Sequence, residues 1–499
     1  MAQNTYQDLL VGQFSEPWSN SQQALAESIE ILNRVEIGLV QISDREQSLL
    51  KAKADLGTHG YSAQTFFNEI VKMVEENRPQ EMRGQMIQIG TQKAQAFFQE
   101  FENLNRDTFD LTMALVYHQM RATLAEHKWS SKDSSALKKK WMALERSRLA
   151  YSANRDQFKK GKDAHRTTPF LSFFVKAKDL NEFILSRGTL TDRAKYQLNK
   201  LKKIWEALKL LPVAYPGLKK LIGQIFNRTQ PTSDHNPVIA TVNEMATKVA
   251  KSQGSTFEID GAELLPPKNP PAGEVNVHIS NHRDGLLDQA AMAALGFDHV
   301  TPYAAVNNFV PEALNAFFGF KFRVIRHLNA NYALIVVGKG ADPKAVPKTI
   351  EILLKSNIRN FMIYPEGRLP EGLGTMAGVR DDFFSEKGAI HAMESQGFKV
   401  NLVVTSLIDN ARLFDGPSLT SENSKYRIKV HGVIRDEIRK EFMKHAGEAG
   451  LSMLLQYGLI ESLVTNDRLM FGQVRPSKIK TVVLEEYVLG KSCRASVGN

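Results

Sequence analysis

The sequence predicts an α/β domain, a mixed sheet with flanking helices, preceded by an all-α, coiled-coil-like helical bundle. Three observations lead there. Apolar residues recur at seven-residue spacing in the first quarter of the chain, short apolar runs bounded by polar turns fill the second half, and lysines crowd the segment between. A chain of 499 residues is long enough for two or three domains. The expected division is a helical bundle over 1–168, a basic amphipathic helical connector over 169–234 and the α/β domain over 235–499.

Residues 20 to about 127 read as long helices. Leu25, Leu32 and Leu39 recur every seven residues, interleaved with Val35, Ile42 and Leu49. Phe97, Leu104 and Leu111 repeat the spacing, with Phe101 and Leu115 on the second register. An apolar seam of this period packs against another helix, and the break at Asn77-Arg78-Pro79 predicts that the two segments pack antiparallel. A further helix is expected from Ser135 to Lys162, ended by His165-Arg166-Thr167-Thr168-Pro169. Within it, Leu137-Lys138-Lys139-Lys140 and Leu144-Glu145-Arg146-Ser147-Arg148-Leu149-Ala150-Tyr151 resemble the middle helix of BAR domains, dimeric helical crescents that bind curved membranes through basic surfaces. The alternative is a bundle that only supports the following domain or dimerises it.

The net charge of +10 is unevenly placed. Between Lys128 and Arg228 lie Lys138-Lys139-Lys140, Arg146, Arg148, Lys159-Lys160, Lys176, Lys178, Lys202-Lys203 and Lys219-Lys220, with few acids. Such a segment is drawn to an anionic membrane surface by about 1 kcal/mol per cation near it; it also suits an acidic carrier protein, or it is a solvated helix face. Neither a recognised binding motif nor an aromatic stacking pattern accompanies it, so no nucleic-acid partner is expected. From 170 to 234, Phe170, Phe173, Phe174, Phe183, Ile184, Trp205, Leu208, Leu210 and Leu211 mix with lysines, and the pattern continues through Leu218, Leu221 and Ile222 to Phe226. A helix of this kind lies in a membrane interface, covers an apolar-chain groove or packs on the next domain; periodicity does not separate the three.

In the α/β part, strands are expected near 274–280, 321–326, 333–337, 360–364 and 400–405. The most informative stretch runs from Val275 to Asp288. Alternating apolar residues stop at Ser280-Asn281, His282 and Asp284 follow, and apolar residues resume at helical spacing from Leu286 through Ala291 and Leu295. This is a strand, a tight turn carrying His282, and a helix whose first turn carries Asp288. A histidine held by a carboxylate makes a general base, because the acid fixes the tautomer and stabilises the imidazolium. Downstream, the strand from Asn360 ends in Tyr364-Pro365-Glu366-Gly367-Arg368, an acid and an arginine in a rigid turn. Before it, Gly319-Phe320-Lys321-Phe322-Arg323-Val324-Ile325-Arg326 sets cations on a strand. Arg323 and Arg326 are three apart and face opposite sides, so at most one reaches a common site.

Together these residues resemble the signature blocks of the glycerolipid acyltransferase superfamily, of the glycerol-3-phosphate and 1-acylglycerol-3-phosphate acyltransferase type. Asn281-His282-Arg283 with Asp288 resembles the Asn-His-x4-Asp block, and Tyr364-Pro365-Glu366-Gly367-Arg368 is similar to the Phe-Pro-Glu-Gly-x-Arg block. Gly261-Ala262-Glu263-Leu264-Leu265-Pro266 resembles the lead-in Gly-x-Glu-x-Leu-Pro, and Lys387-Gly388-Ala389 the basic-Gly helix start. The resemblance covers residues 235 to 440, with two departures. Five residues separate His282 from Asp288 where the family has four, and Arg368 follows Gly367 directly. Asp284 is therefore an alternative acid, or a cap for the following helix.

The resemblance implies an α/β acyltransferase domain in which His282, oriented by Asp288, deprotonates a glycerol hydroxyl that attacks an acyl thioester. Arg323, Arg326 and Arg368 are the candidates for the acceptor phosphate, since a guanidinium binds phosphate oxygens through two parallel hydrogen bonds. Lys387 joins them at a helix start, and Glu366 and Gly367 shape the turn. The implied co-substrate is acyl-CoA or acyl-carrier protein, the acceptor glycerol 3-phosphate or a lysophospholipid, and no cofactor is expected. The single cysteine, Cys493, sits in a polar tail, and the twelve histidines show no metal-ligand spacing. The first residues lack a basic, apolar leader, and no apolar run approaches the roughly 20 residues of a spanning helix. The expected location is cytoplasmic, peripheral on the inner face of a membrane, with a homodimer an open alternative.

Overall fold

The computed structural model describes residues 21–58, 63–126, 129–154, 168–227, 229, 237–280, 285–297, 301–305, 335–337, 345–363, 388–408, 425–461, 464–465 and 468–469. The protein is mostly helical, with a mixed, largely parallel sheet flanked by helices in its C-terminal half.

Among the described residues the first four helices are α1 (Ser21–Thr58), α2 (Ala63–Glu75), α3 (Gln80–Glu126) and α4 (Ser131–Asn154). α1 and α3 run antiparallel, because Glu27 pairs with Arg121 at 2.9 Å while Arg45, further along α1, pairs with Asp107, earlier in α3. The apolar seam of α3 is Phe97, Leu104, Leu111 and Leu115, all buried, and Leu49 meets it from α1. At the start of α1, however, Ala24 and Ser28 take the buried positions and Leu25 is only half-buried. The seam there is turned by one residue from the leucine repeat. The side chains of Leu32, Val35, Leu39, Ile42 and Phe101 lie outside the described residues.

The expected break between α2 and α3 has a clear local cause. Asn77 takes a left-handed φ of 51°, the Arg78 N–H donates to the Met73 carbonyl at 2.9 Å, and Pro79 cannot continue the helix. α4 starts at Ser131, earlier than its periodicity predicts, because Ser130 caps it. Ser130 Oγ accepts from the Asp133 N–H at 3.2 Å and donates to the Asp133 carboxylate at 2.6 Å. Of the segment expected to end this helix, His165, Arg166 and Thr167 lie outside the described residues, while Thr168 and Pro169 begin the next helix.

α4 corrects one reading of the basic surface. Leu137, Trp141, Leu144, Arg148 and Tyr151 form one buried stripe at helical spacing. Arg148 is therefore inside, held 2.5 Å from Glu145 and 4.9 Å from the Tyr117 ring. Lys138, Lys139 and Arg146 are exposed, and Lys140 pairs with Asp179 at 2.7 Å. Next come α5 (Thr168–Arg187), with proline at its start, and α6 (Leu190–Phe226), a single 37-residue helix with Pro212 and Pro216 inside it.

α7 (Pro237–Ser252) leads into the sheet, built from β1 (Thr256–Asp260), β2 (Glu274–Ser280), β3 (Thr301–Ala305), β4 (Ile335–Val337), β5 (Asn360–Ile363), β6 (Lys399–Ile408) and β7 (Lys425–Ile434). Its order is β1-β7-β6-β2-β5, continued by the short β3 and β4. Every pairing is parallel except β6 with β7. Helix α8 (Gly285–Ala294) follows β2, α9 (Ala345–Lys355) follows β4, α10 (Ala389–Glu394) precedes β6 and α11 (Asp436–Glu461) follows β7. A separate antiparallel pair of two-residue strands, β8 (Val464–Thr465) and β9 (Arg468–Leu469), is the last among the described residues. The strand expected at 321–326 lies outside the described residues. β1, β3 and β7 were not anticipated.

Both faces of the sheet are covered, as a parallel sheet requires. On one face Val275, Val277, Ile279, Phe361, Ile363, Leu402 and Val404 pack with α9, α10 and α11. On the other, Met362, Leu407, Tyr426, Ile428 and Val430 pack with Ala246 and Ala250 of α7 and Ala290 and Ala291 of α8. The first of these cores runs on without a break into the amino-terminal helices. Phe442 of α11 lies with its ring 5.9 Å from both Phe66 and Phe67 of α2. Arg83 of α3 meets Glu441 at 3.0 Å, and a Cβ at Gly84 would come within 2.6 Å of the His445 ring. The bundle and the sheet thus share one apolar core through α11.

Candidate functional site

β2 and β5 are adjacent and parallel, with Ile279 opposite Ile363. Ser280 and Ile363 are the last residues of these strands, so the segments carrying His282 and Glu366 leave from neighbouring carboxyl ends of one sheet. After β2 the chain crosses β5 to reach β3; after β5 it crosses back over β2 to reach β6. The connecting helices lie on opposite faces, α8 in the core with α7 and α10 in the core with α9. Right-handed crossovers in opposite directions demand this split. The gap between β2 and β5 is therefore a topological switch point, where open α/β sheets bind ligands outside the strand ends.

Of the candidate catalytic and substrate-binding residues, Asp288 is the one the structure describes. It occupies the first turn of α8, as its spacing predicts, and is fully buried. Its helix is fixed from behind, since the Gln289 amide donates to Asn243 of α7. His282, Asp284, Arg323, Arg326, Glu366, Gly367, Arg368 and Lys387 lie outside the described residues. Gly388, the neighbour of Lys387, caps α10, a helix of only 6 residues.

The face of β2 that meets α8 is polar. Asn276, His278 and Ser280 point there and all are buried. Ser280 is the register partner of Thr405, at the carboxyl edge beside the switch point. Thr405 was missed in the sequence because no motif marks it. Its Oγ1 is buried with no hydrogen-bond partner among the described residues. His278 packs edge-on against Phe297 with ring centres 4.2 Å apart. Burial pushes its imidazole down to about 3, with the Asn360 amide opposing weakly. Kept neutral and walled in by apolar groups, His278 is a structural histidine.

The lead-in block does its work at the opposite end of the sheet. Gly261 adopts a left-handed φ of 76°, and a Cβ there would stand 2.7 Å from the Val430 carbonyl. The chain then passes over the amino-terminal ends of β2 and β5. The Asn276 amide donates to Asn360 Oδ1 at 3.1 Å and the Asn360 amide to the Lys268 carbonyl at 2.6 Å. These contacts clamp the two strands in register, which is how residues far from the site position it.

Among the described residues, no group of three or more His, Cys, Asp or Glu side chains is arranged to hold a metal ion. Among the described residues, no helix is long and apolar enough to cross a membrane. Comparison with known families, characterised proteins and solved structures returned no match, so chemistry and geometry alone carry the functional reading.

Proposed function

We propose that the protein is an O-acyltransferase that moves a fatty acyl group from an acyl thioester, acyl-CoA or acyl-carrier protein, to a hydroxyl of glycerol 3-phosphate or a lysophospholipid in phospholipid synthesis. The observation that carries this reading is the pairing of β2 with β5, which starts the His282 and Glu366-Gly367-Arg368 segments side by side at a switch point. Buried Asp288 supports it, because an acid that orients a histidine works best out of water.

In this mechanism His282 takes the proton of the acceptor hydroxyl as that oxygen attacks the thioester carbonyl. The tetrahedral intermediate collapses, the C–S bond breaks, and the imidazolium returns the proton to the departing thiolate. Asp288 holds the second ring nitrogen. Arg368, with Arg323 or Arg326, binds the acceptor phosphate; Lys387 adds charge, and Glu366 receives donors from the acceptor or the turn. General-base assistance of this kind contributes about 10²–10⁴ in rate.

The test offers the full chain acyl-CoA or acyl-carrier protein together with glycerol 3-phosphate, lysophosphatidate or a neutral lysolipid. Ester product and free thiol in equal amounts are expected with a phosphate-bearing acceptor. Product with neutral acceptors alone would contradict the phosphate assignment. The five-residue interval between His282 and Asp288 favours a second reading, a membrane-binding or membrane-shaping protein whose lipid-binding domain does not turn over. Vesicle binding with no product from any acceptor would support that one.

A further inference from the structure

α6 divides into a packed part and an uncovered part. Its C-terminal part sits on α7, where Gly217 approaches Met245, the Gln224 amide donates to the Pro237 carbonyl at 3.1 Å and Lys220 meets Glu244 at 3.4 Å. Along the rest, the large apolar side chains among the described residues face outward. Leu198, Leu201 and Trp205 are 65%, 62% and 62% exposed, at intervals of three and four that place them on one face. Pro212, Tyr215 and Ile222 continue the same line and are also exposed. Exposed large apolar groups gathered on one helix face mark an interaction surface.

The charge of the helix selects the partner. α6 contains eight Lys and Arg residues and two carboxylates. Arg193, Lys219 and Lys220 are exposed on it, and Lys138 and Lys139 are exposed on α4. A second copy of so cationic a helix would be repelled. An anionic lipid surface supplies an apolar medium for the stripe and an opposite charge for the net positive helix. Trp205 and Tyr215 suit the boundary, having apolar rings with a polar edge. Lysine stems extend along apolar surface while their ammonium groups stay in water.

We propose that α6 docks in the plane of an anionic membrane through Leu198, Leu201, Trp205 and Tyr215, with its lysines on the lipid headgroups. α7 packs against both α6 and α8, so docking sets the helix that carries Asp288 at a fixed place relative to the lipid. The inference stands apart from the acyl-transfer reading, since binding is measured without turnover.

The test is co-sedimentation of the full chain with phosphatidylcholine vesicles, with and without phosphatidylserine. Wild type is expected to bind the anionic vesicles, less at high salt. Leu198→Gln/Leu201→Gln/Trp205→Gln is expected to weaken binding by about tenfold or more. A second arm reads wild type by fluorescence: emission shifts to the blue on vesicle addition, and Trp205→Phe abolishes the shift. This arm remains decisive if the triple variant fails to fold. No binding by wild type, or no blue shift, overturns the proposal. So does a wild-type dimer in solution that the triple substitution dissolves, which would make a second copy the occupant.

Discussion

Ile279 and Ile363 are register partners at the carboxyl ends of two parallel strands, 84 residues apart in sequence, and everything proposed for the site depends on that pairing. It is held from the other end of the strands by the Asn276–Asn360 side-chain bond. The polar segments that follow each strand therefore begin side by side, although more than 80 residues separate their motifs.

Asp288 is fully buried on the first turn of α8, and the proposed mechanism makes it the acid behind His282. Asp288→Asn keeps the shape and removes the charge, and turnover is expected to fall about a hundredfold or more. Asp284→Asn should stay close to wild type. Steady-state rates of the two variants decide, and a larger loss from Asp284→Asn would reverse the assignment.

Gly261 is a structural requirement rather than part of the chemistry. Gly261→Ala places a Cβ against the Val430 carbonyl in a left-handed backbone, at a cost of about 1–3 kcal/mol. Denaturant titration should show that loss, with KM for the acceptor unchanged in the surviving folded protein.

The shared core makes the amino-terminal helices and the sheet unfold together. Phe442→Ala removes a fully buried ring between Phe66 and Phe67 and should destabilise by about 3–5 kcal/mol. Peptide-resolved hydrogen exchange is expected to show lost protection in both α3 and β6. Loss confined to one of them would mean that the two parts fold independently.

Buried His278 makes the fold sensitive to acid. Its imidazole is depressed from an ordinary 6.5 to about 3. Between these values the unfolded chain binds a proton that the folded chain refuses, so stability rises with pH across that window. Going from pH 7 to pH 5 should cost about 2 kcal/mol from this group. His278→Leu should flatten that part of the stability profile, and an unchanged profile would show that His278 is not the source.

Much of this architecture was legible in the sequence. The alternation in β2 and the helical spacing after Leu286 place Asp288 on the first turn of α8, because local periodicity is what those elements obey. β7 carries the same kind of signal, with Tyr426, Ile428 and Val430 inward, but the alternating Lys425, Arg427 and Lys429 mask it and no strand was expected there. Arg148 is the converse case: a charged residue that sits on the apolar stripe of α4 by spacing and is buried there. The packing of α11 on α2 and α3 was not legible, since it joins residues over 300 apart. Nor was the state of α6, because an exposed apolar stripe and a buried one have the same period.

The most direct test of the central claim compares wild type with His282→Ala by mass spectrometry of the lipid product. Both receive acyl-CoA or acyl-carrier protein with glycerol 3-phosphate or lysophosphatidate. The expected result is an ester product from wild type and a loss of about 10²–10⁴ in rate for the variant, with its thermal unfolding unchanged. Equal product from both proteins would remove His282 from the mechanism and contradict the acyltransferase site proposed at the β2–β5 edge.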